Sequence, residues 1–413
     1  MAKDSEILVI GAGVIGLCIA LRLLREGREV LLIDRDEPGR GASGGNAGVF
    51  ATYECVPIGT PSVWKALPRL LVDSMSPLSI SLTALPRLTP WLMRFARASV
   101  ASRAVKNAAT LAALLENSLS AFIPLLELSG ACPLLRRSGA LHLFRSEDEL
   151  AAAAWSIDLR RRLGISFSLL GRAELARLEP RLPPDYACGI LFPEAAHLTD
   201  PYELMRRLTL TFLAQGGHIV RANIETLRCS AKGITLTTRG ATLRGETAVV
   251  ALGAWSAQLA RQIGDRLPLE TQRGYHVEFP TSAPLLNRPV CPVGLGFYLS
   301  PMTGRLRAAG TVELSSLKRA ANPRRLKLIE ESARRVIPGL PAAQSKWLGF
   351  RPSFPDSLPA IGRSPHARNV IYACGHGHLG LTLAAETARI VSNLIVNDRD
   401  SPELAAVSPA RFR

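Results

Sequence analysis

The spacing of glycines near the start of the chain suits contact with a dinucleotide. Gly11, Gly13 and Gly16 form a G-x-G-x-x-G pattern between two apolar stretches. Glycine lets the backbone approach a pyrophosphate, and the amino end of the following helix offers N–H groups with a partial positive charge. Asp34 ends the next predicted strand, at the offset expected of a carboxylate that hydrogen-bonds an adenosine ribose. The pattern predicts a pyrophosphate site at Gly11, Gly13, Val14, Ile15 and Gly16.

A second small-residue segment, 41–48, favours FAD over NAD. Its sequence is Gly-Ala-Ser-Gly-Gly-Asn-Ala-Gly, and such residues let backbone amides lie against a large flat ligand. FAD needs a contact of this kind because its flavin lies far from its adenine, whereas a nicotinamide site usually does not. A flexible surface loop is the alternative for this composition. We predict that Ser43, Asn46, Ala47 and Gly48 contact the cofactor.

Arg351 is the side chain best suited to hold a substrate carboxylate. It stands in Gly-Phe-Arg-Pro, where Pro352 favours an extended backbone from which the side chain projects sideways. A guanidinium is a planar fork that can donate two hydrogen bonds to one carboxylate. The alternative is a structural arginine that donates to loop carbonyls.

Two nearby predicted strands offer further polar groups. Arg305 and Arg307 share one face of a strand, so we expect one of them, taken as Arg307, to reach the substrate and the other to be solvated. Tyr275 and His276 point to opposite faces of their strand, so only one can enter the pocket. We expect that Tyr275 donates its hydroxyl to a carboxylate.

The glycine-rich segment 375–382 contains two histidines, which raises the question of a metal. His376 and His378 lack the further ligands that a divalent ion requires, so no metal site is expected. We expect the segment to pass beneath the flavin and lead into the last helix, whose positive end would stabilise negative charge on the reduced ring. His378 would also belong to the floor of the substrate pocket. The residues predicted to contact the cofactor here are Gly377, His378, Leu379, Gly380, Leu381 and Thr382.

Alternating strands and helices must position the cofactor residues. The chain opens as strand, turn, helix and strand, and a later helix begins at Asp200, with proline in its first turn. Strands at 218–221, 234–238 and 247–252 follow it. The last of these runs into a small-residue turn, a further place where backbone can meet a dinucleotide. The remaining residues predicted to contact the cofactor are Arg35, Ile224, Ala251, Gly253 and Trp255.

A different set of elements would carry the substrate groups. Strand candidates at 274–279, 296–300 and 305–312 predict an antiparallel sheet. The region 86–130 has apolar residues at helical spacing, which predicts a long core-facing helix. Its basic decoration leaves an interfacial helix at a membrane as the alternative.

Composition excludes several classes of protein. Hydrophobic residues make up 47% and charged residues 20%, as in a folded globular chain. The formal net charge is +16, but arginines come in short groups without interleaved aromatics, so we expect a solvated surface and no nucleic acid partner, with attraction to an anionic membrane as the alternative. Seven dispersed cysteines indicate a reducing, cytoplasmic interior. The apolar stretches 7–21 and 289–304 are too short to span a bilayer, and no transmembrane helix is expected.

These motifs resemble those of one family. The opening glycine pattern, the Gly-Phe-Arg-Pro segment and Gly-His-Gly-His-Leu-Gly-Leu-Thr are similar to motifs of the FAD-dependent D-amino-acid oxidases and dehydrogenases. Segments 41–48, 251–256 and 273–276 resemble more closely the bacterial dehydrogenases of D-amino acids and D-hydroxyproline. The resemblance spans nearly the whole chain and is weakest at 55–135.

The resemblance implies an α/β fold with a Rossmann-like FAD-binding domain and a discontinuous mixed α/β substrate-binding domain. In that family the arginine of the Gly-Phe-Arg-Pro segment holds the substrate carboxylate, which implies this role for Arg351. No motif for covalent attachment is evident, so FAD is expected to be non-covalent. The expected domains are 1–50, 198–265 and 350–413 for FAD, and 51–197 and 266–349 for the substrate cap.

The activity implied by the resemblance is FAD-dependent oxidation of D-amino acids or cyclic imino acids such as cis-4-hydroxy-D-proline, by hydride transfer from Cα to flavin N5. Two alternatives stay open: an oxidase of glycine or sarcosine, and a flavoprotein subunit of a multi-protein dehydrogenase. The electron acceptor is expected to be oxygen or a membrane quinone. The expected location is the cytoplasm, with or without peripheral contact to the inner face of the cytoplasmic membrane.

Overall fold

The computed structural model describes residues 3–64, 66, 73, 76–230, 233–398 and 404–413. Its α-helices are α1 (Val14–Arg25), α2 (Leu85–Ala98), α3 (Ala101–Leu115), α4 (Ser118–Leu128), α5 (Glu147–Ala152), α6 (Ala154–Arg162), α7 (Arg172–Leu178), α8 (Pro201–Ala214), α9 (Ser256–Ala260), α10 (Pro323–Val336) and α11 (Ala384–Val396). The strands are β1 (Lys3–Ile10), β2 (Val30–Asp34), β3 (Val49–Phe50), β4 (Leu78–Ile80), β5 (Leu135–Arg136), β6 (Ala140–Phe144), β7 (Ser168–Gly171), β8 (Cys188–Phe192), β9 (Ala196–Leu198), β10 (His218–Arg221), β11 (Thr226–Ser230), β12 (Gly233–Thr237), β13 (Thr242–Val250), β14 (Glu270–Pro280), β15 (Val290–Pro292), β16 (Phe297–Met302), β17 (Arg305–Leu314), β18 (Ser345–Ser353), β19 (Ala360–Arg363) and β20 (Val370–Cys374).

The first large sheet is built around parallel strands in the order β10-β2-β1-β13. β13 divides its pairing: its first residues pair with β12 in the antiparallel hairpin β11–β12, and its last residues pair with β20 in parallel. Ile10 lies opposite both Ile33 and Val250, and Val250 lies opposite Tyr372. The carboxyl ends of four parallel strands therefore lie side by side, as a doubly wound α/β fold requires.

Both faces of this sheet are buried, which explains the continuous apolar run in β1. Ile7 and Val9 pack in the cluster that includes α1 and α11, whereas Leu8 and Ile10 pack on the opposite face with residues of the β11–β12 hairpin. Parallel strands covered on both faces carry apolar side chains at consecutive positions. The predicted capping of α8 is confirmed, because the Asp200 carboxylate accepts hydrogen bonds from two backbone N–H groups of its first turn.

The second large sheet follows the order β18-β14-β17-β16-β15-β6-β8-β7, with β4 added beside β17. β18, β14, β17 and β16 are antiparallel to one another, as predicted for three of them, whereas β4 pairs with β17 in parallel. Tyr275, Val277 and Phe279 of β14 face α10 and pack with Ile329 and Ala333. Because side chains alternate along a strand, the opposite face of β14 looks toward the first sheet.

The region predicted as one long helix forms three helices, α2 to α4. α3 and α4 contribute Leu111 and Phe122 to the cluster that contains α1 and α11, so their apolar face is core-facing. Within the described residues, the helical stretch Ala101–Leu128 is long and apolar enough to cross a bilayer, which the sequence analysis did not anticipate. In the structure this stretch comprises two packed amphipathic helices.

Several elements were not predicted. α5 to α7 are short helices between β6 and β8, and β18 contains the Gly-Phe-Arg-Pro segment. β18 places Arg351 opposite Gln272 of β14, at the edge of the second sheet. Groups of strands that belong to the first large sheet alternate along the chain with groups that belong to the second. The domain limits given in the sequence analysis stay a prediction.

Candidate active site

A cavity of about 890 Å³ opens between the two large sheets. One wall is formed at the carboxyl ends of β1, β2, β13 and β20, and the facing wall by β14, β16, β17 and β18. Ligands of parallel α/β sheets bind outside these carboxyl ends. The residues of its wall that the sequence predicted for the cofactor are Gly11, Gly13, Val14, Ile15, Asp34, Arg35, Ser43, Asn46, Ala47, Gly48, Ile224, Ala251, Gly253, Trp255, Gly377, His378, Gly380 and Leu381.

The opening glycine turn is shaped for close backbone approach. Gly11 has a φ of 113°, and a Cβ atom there would collide with the carbonyl of Ala251. Gly16 does not line the cavity; a Cβ on it would overlap the carbonyl oxygen of Gly11, so it allows α1 to start against the turn. The first turn of α1 contains no acidic residue, and no side chain of Gly13 competes for its N–H groups. This end of α1 suits an anion.

Asp34 and its neighbours form the part of the cavity expected for the adenosine. The carboxylate of Asp34 accepts hydrogen bonds from Ala12 N at 2.7 Å and Asp36 N at 3.0 Å, which fixes its orientation at the end of β2. The guanidinium of Arg35 lies 4.0 Å from the ring centre of Trp255. Each carboxylate oxygen keeps a further lone pair, so a ribose hydroxyl can still donate to it.

The small-residue segment 41–48 is tied to the glycine turn; we call it the flavin loop. Ser43 Oγ accepts a hydrogen bond from Val14 N at 2.9 Å, which joins the loop to the start of α1. Asn46 donates to Ser43 O at 2.7 Å and accepts from Gly48 N at 2.7 Å. These bonds make the loop an ordered turn rather than the flexible surface loop weighed above.

Arg307 supports the flavin loop from the second sheet. Its guanidinium donates to Asn46 O at 2.6 Å and Gly44 O at 3.2 Å, and it pairs with Glu278 at 2.8 Å. Arg305 pairs with the same glutamate and with Asp200. The expectation that Arg307 reaches the substrate needs correction, because its donors are engaged by the protein itself.

His276, not Tyr275, is the residue of its strand that faces the flavin loop. His276 Nδ1 donates to Gly45 O at 2.8 Å, and its ring stacks on Trp347 with centres 5.0 Å apart. A Cβ on Gly45 or on Gly349 would collide with the Trp347 indole, so both glycines make room for it. Burial lowers the pKa of His276 to about 4, and the ring is neutral at pH 7.

The hydroxyl of Tyr275 is directed away from the cavity. It donates to the carboxylate of Glu313 and accepts from Asn322 N at 3.2 Å. The ring packs on the α10 face of the sheet. Tyr275 thus does donate to a carboxylate, but to one of the protein, and its predicted contact with substrate needs correction because strand alternation places it on the opposite face.

Arg351 presents a positive charge to the cavity. It donates to Thr311 O at 2.7 Å and Gly310 O at 3.3 Å, and no acidic partner lies within ion-pair distance among the described residues. Removal from solvent lowers its pKa to about 10, and it stays protonated at pH 7. Thr311 has a φ of 56°, an unfavourable conformation for a β-branched residue. Such strain is often found at functional sites.

The segment 375–382 is fastened beside Arg351. Gly377 N donates to Pro352 O at 2.7 Å, and His376 Nε2 lies 2.9 Å from Thr387 Oγ1 of α11. His378 exposes its ring to the cavity. Two residues predicted to contact the cofactor lie behind the wall: Leu379 packs in the core, and Thr382 Oγ1 accepts from Ala51 N at 3.1 Å.

A polar cluster at the cavity was missed by the sequence analysis. The hydroxyl of Tyr298 in β16 lies 2.9 Å from His142 Nε2 and 2.7 Å from the hydroxyl of Tyr53. Glu54 follows in the chain and pairs with Arg160 of α6 at 3.0 Å. Strand alternation was the available signal, because Tyr298 and His142 each stand between two apolar residues that face the core. Nothing in the sequence indicated that both strands meet at one cavity.

The donor set of the cavity fits a dinucleotide. No group of His, Cys, Asp and Glu capable of holding a metal ion occurs among the residues that the structure describes. All seven cysteines are free thiols. The cavity instead joins an anion-binding turn, an oriented carboxylate and a glycine-rich floor, which are the contacts that FAD requires.

Comparison with known sequences agrees with this geometry. The chain is 36% identical to a D-amino-acid oxidase of Bradyrhizobium diazoefficiens, with all of both chains aligned. It is 32% identical to a D-amino acid dehydrogenase of Paramagnetospirillum magneticum over 94% of each chain.

Solved structures share the fold. Glycine oxidase from Geobacillus kaustophilus matches with a TM-score of 0.77 over 99% of both chains at 24% identity. L-proline dehydrogenase from P. horikoshii matches with a TM-score of 0.74 over 100% of this chain and 98% of that one, at 19% identity. The model of the family described as FAD dependent oxidoreductase matches residues 6–394. The chain therefore belongs to the FAD-dependent oxidoreductases and uses FAD as its cofactor.

Proposed function

We propose that this enzyme oxidises D-amino acids, with cyclic imino acids such as cis-4-hydroxy-D-proline as further candidate substrates. The observation that carries the proposal is Arg351, a cation that faces the cavity without an acidic partner among the described residues. Two of its N–H groups are held by carbonyls, so its charge is oriented but not compensated. A substrate carboxylate supplies the missing charge, and Tyr298 offers a hydroxyl in the same cavity. The two aligned relatives, both named for D-amino acids, support the choice of enantiomer.

The residues of the cavity would orient the substrate rather than exchange protons with it. FAD, held without a covalent link by the glycine turn, Asp34 and the flavin loop, would supply the acceptor for hydride from the substrate Cα. Arg351 holds the carboxylate and so directs Cα, and positioning of this kind supplies much of the rate in such reactions. Burial lowers the pKa of His142 to about 4, so this neighbour of Tyr298 is neutral at pH 7. A neutral imidazole at this position does not stabilise the ammonium form of the substrate, from which hydride cannot leave.

The proposal is tested by anaerobic bleaching of the flavin absorbance. The panel contains D-alanine, D-proline, cis-4-hydroxy-D-proline, glycine, sarcosine and the L-enantiomers. We expect bleaching by D-substrates and little by L-substrates, and acid precipitation should release FAD. Preferential bleaching by glycine or sarcosine would favour the small-substrate oxidase. A yellow protein that no substrate bleaches would favour the subunit of a larger dehydrogenase.

Replacing Arg351 tests the substrate orientation directly. Arg351→Ala should keep FAD yet weaken binding of the substrate carboxylate by about 2–5 kcal/mol, as the loss of a buried charge partner does. The measurements are kcat/KM with the best D-substrate and the flavin content of the purified variant. Unchanged kinetics would show that the carboxylate binds elsewhere.

We further propose that the enzyme meets an anionic membrane, where a quinone can receive the electrons. The sequence contains no acidic residue between Asp73 and Glu116. α2, α3 and the turn between them expose Met93, Val105 and Val100, whose exposed fractions are 56%, 43% and 50%. The same segment of the chain carries four exposed cations, Arg94, Arg97, Arg103 and Lys106. We call these seven residues the basic helical surface; apolar tips among cations suit the interface of an anionic bilayer.

Vesicle sedimentation tests this surface. The protein should bind vesicles that contain phosphatidylglycerol, bind phosphatidylcholine vesicles weakly, and be released by salt. Each basic residue near such a surface contributes about 1 kcal/mol. Glutamine at the four cations of the basic helical surface should therefore abolish binding. The matched control removes four exposed arginines elsewhere, Arg181, Arg228, Arg324 and Arg335. An equal loss of vesicle binding in the control would indicate that binding responds only to net charge. Consumption of oxygen by the wild-type enzyme during turnover would identify oxygen as the electron acceptor.

A further inference from the structure

Glu54 places a carboxylate at the same cavity as Arg351. Glu54 follows the flavin loop and β3 in the chain. Its side chain is 19% exposed, and it lines the cavity. Arg160 of α6 donates to Glu54 Oε1 at 3.0 Å and to Tyr53 O at 3.1 Å. Arg160 is more deeply buried, with 8% of its side chain exposed. Arg160 thus fixes the position of the Glu54 carboxylate through its Oε1 atom.

The second oxygen of Glu54 is available for a ligand. Oε2 makes no hydrogen bond to any residue that the structure describes, whereas Oε1 is taken by Arg160. A carboxylate has about four lone-pair positions, so one arginine donor leaves most of them open. In a site closed by a substrate, an open acceptor of this kind has to find a donor from the ligand.

The charge of Glu54 acts on the groups of the cavity wall. Burial raises the pKa of Tyr298 and Cys291, and the charge of Glu54 raises both further. Burial lowers the pKa of His378, and the charge of Glu54 opposes that shift. For His378, Arg351 acts in the opposite direction and lowers the pKa. One imidazole therefore lies within the fields of a cation and an anion that both border the cavity. The cavity has two poles of opposite charge.

We propose that Glu54 binds a positively charged group in the substrate side chain, so that the preferred D-amino acids are those with a second, basic nitrogen. This inference rests on the proposed function, in which Arg351 holds the α-carboxylate. The α-nitrogen is the less suitable partner for Glu54. A carboxylate beside it would stabilise the ammonium form, from which hydride cannot leave until a proton is lost.

Matched substrates test the inference on the wild-type enzyme. D-lysine carries a terminal ammonium that D-norleucine lacks. D-arginine carries a charged guanidinium, and in D-citrulline an oxygen replaces one of its nitrogens to give a neutral urea. We expect kcat/KM to favour the cationic member of each pair by about 10-fold or more, the range of a hydrogen bond to a charged group. If neutral D-substrates bleach the flavin but the cationic members are not preferred, this inference fails and the proposed function stands. If no D-amino acid bleaches it, the proposed function fails as well.

Variants separate Glu54 from other sources of selectivity. Glu54→Gln should remove the preference for D-lysine over D-norleucine, so that the ratio of their kcat/KM values falls by about 10-fold or more. Glu54→Asp should keep part of the preference. Glu116→Gln, at an exposed surface position, is the matched control for a change of net charge and should leave the ratio intact.

Loss of the counter-ion of Arg160 could prevent Glu54→Gln from folding, so a second variant is included. Glu54→Gln combined with Arg160→Met removes both charges and keeps the arginine's volume. We expect this double variant to lose the preference for D-lysine as well. Retention of the preference in either variant would overturn the inference. Equal loss with D-lysine and D-norleucine would also overturn it, because it would assign Glu54 to the α-nitrogen or to the fold.

Discussion

Arg351 depends on a neighbour that has no side chain. Gly274 of β14 lies beside the guanidinium, and a Cβ atom built on it would overlap the guanidinium carbon and both terminal nitrogens. The arginine therefore occupies the volume that any other residue at 274 would need. Two features set the orientation of the Arg351 guanidinium: the absence of a Cβ atom at Gly274, and the carbonyls of Gly310 and Thr311 that accept its hydrogen bonds.

Gly274→Ala should displace Arg351 without removing it. We expect KM for the D-substrate to rise about 10-fold or more, since even small misplacement of an orienting group is costly. Flavin content should be unchanged. Gly240→Ala is the matched control, because a Cβ there meets no atom within 4 Å. An unaltered KM in Gly274→Ala would mean that the guanidinium has another productive position.

Residue types predicted part of the candidate site, and strand faces decided the rest. The extended backbone and the neighbouring proline indicated Arg351, and the family resemblance implied its role at the substrate carboxylate. Residue type could not show which of Tyr275 and Tyr298 faces the cavity. Both stand in predicted strands, and alternation of side chains defines two faces of a strand without indicating which face lines the cavity. That choice depends on α10 covering one face of the second sheet, a tertiary contact between distant segments.

At the scale of elements, the flavin loop is supported by both sheets. Ser43 joins it to α1 of the first sheet, and Arg307 and His276 hold its carbonyls from the second. A loop supported from two sides is preorganised for its ligand. The second sheet thus supports the loop that is predicted to contact the cofactor, and it also lines the candidate substrate pocket.

Arg307→Gln should weaken FAD binding. The variant loses hydrogen bonds from a charged donor to Gly44 and Asn46, and we expect the Kd for FAD to rise about 10-fold or more. Fluorescence titration of the apoprotein with FAD gives the Kd. Arg305→Gln is a close control, since Arg305 shares Glu278 but makes no hydrogen bond to the loop. A similar rise in both variants would assign the effect to Glu278.

Local pattern predicted the elements whose signal is contained in a short stretch. The opening strand, turn and helix, the capped start of α8 and the strand β10 are of this kind. β18 was missed because Gly349 and Pro352 are disfavoured in strands, and its pairing with β14 overrides that preference. α5 to α7 are too short to show a clear helical period.

For the molecule as a whole, buried neutral histidines predict sensitivity to acid. Burial lowers the pKa of His142, His197 and His276 from 6.5 to about 4, and that of His376 to about 3. In the unfolded chain these imidazoles bind protons at their ordinary pKa. Between pH 6.5 and 4 the unfolded state therefore binds more protons than the native state, and stability falls as the pH falls.

Denaturant unfolding at several pH values, at fixed FAD concentration, checks this expectation. The free energy of unfolding should be greatest above about pH 6.5 and decline by about 1.4 kcal/mol per pH unit for each such histidine well below it. His276→Asn keeps an N–H donor for Gly45 but cannot titrate, so its decline should be shallower. His218→Gln, at an exposed histidine, should follow the wild type. A flat profile for the wild type would refute the expectation.

The parallel pairing of β1 with β13 and of β13 with β20 has a consequence for synthesis. The turn at Gly11, which is predicted to approach the pyrophosphate, leaves the ribosome hundreds of residues before its neighbour Ala251 and the segment 377–381. β1 can pair early with β2, but the N–H and C=O groups of its other edge must wait unpaired until β13 has been translated. Contacts so far apart in the chain slow folding. Loading of the flavin is expected to be a late, post-translational event, and the nascent chain should need protection by chaperones in the interval.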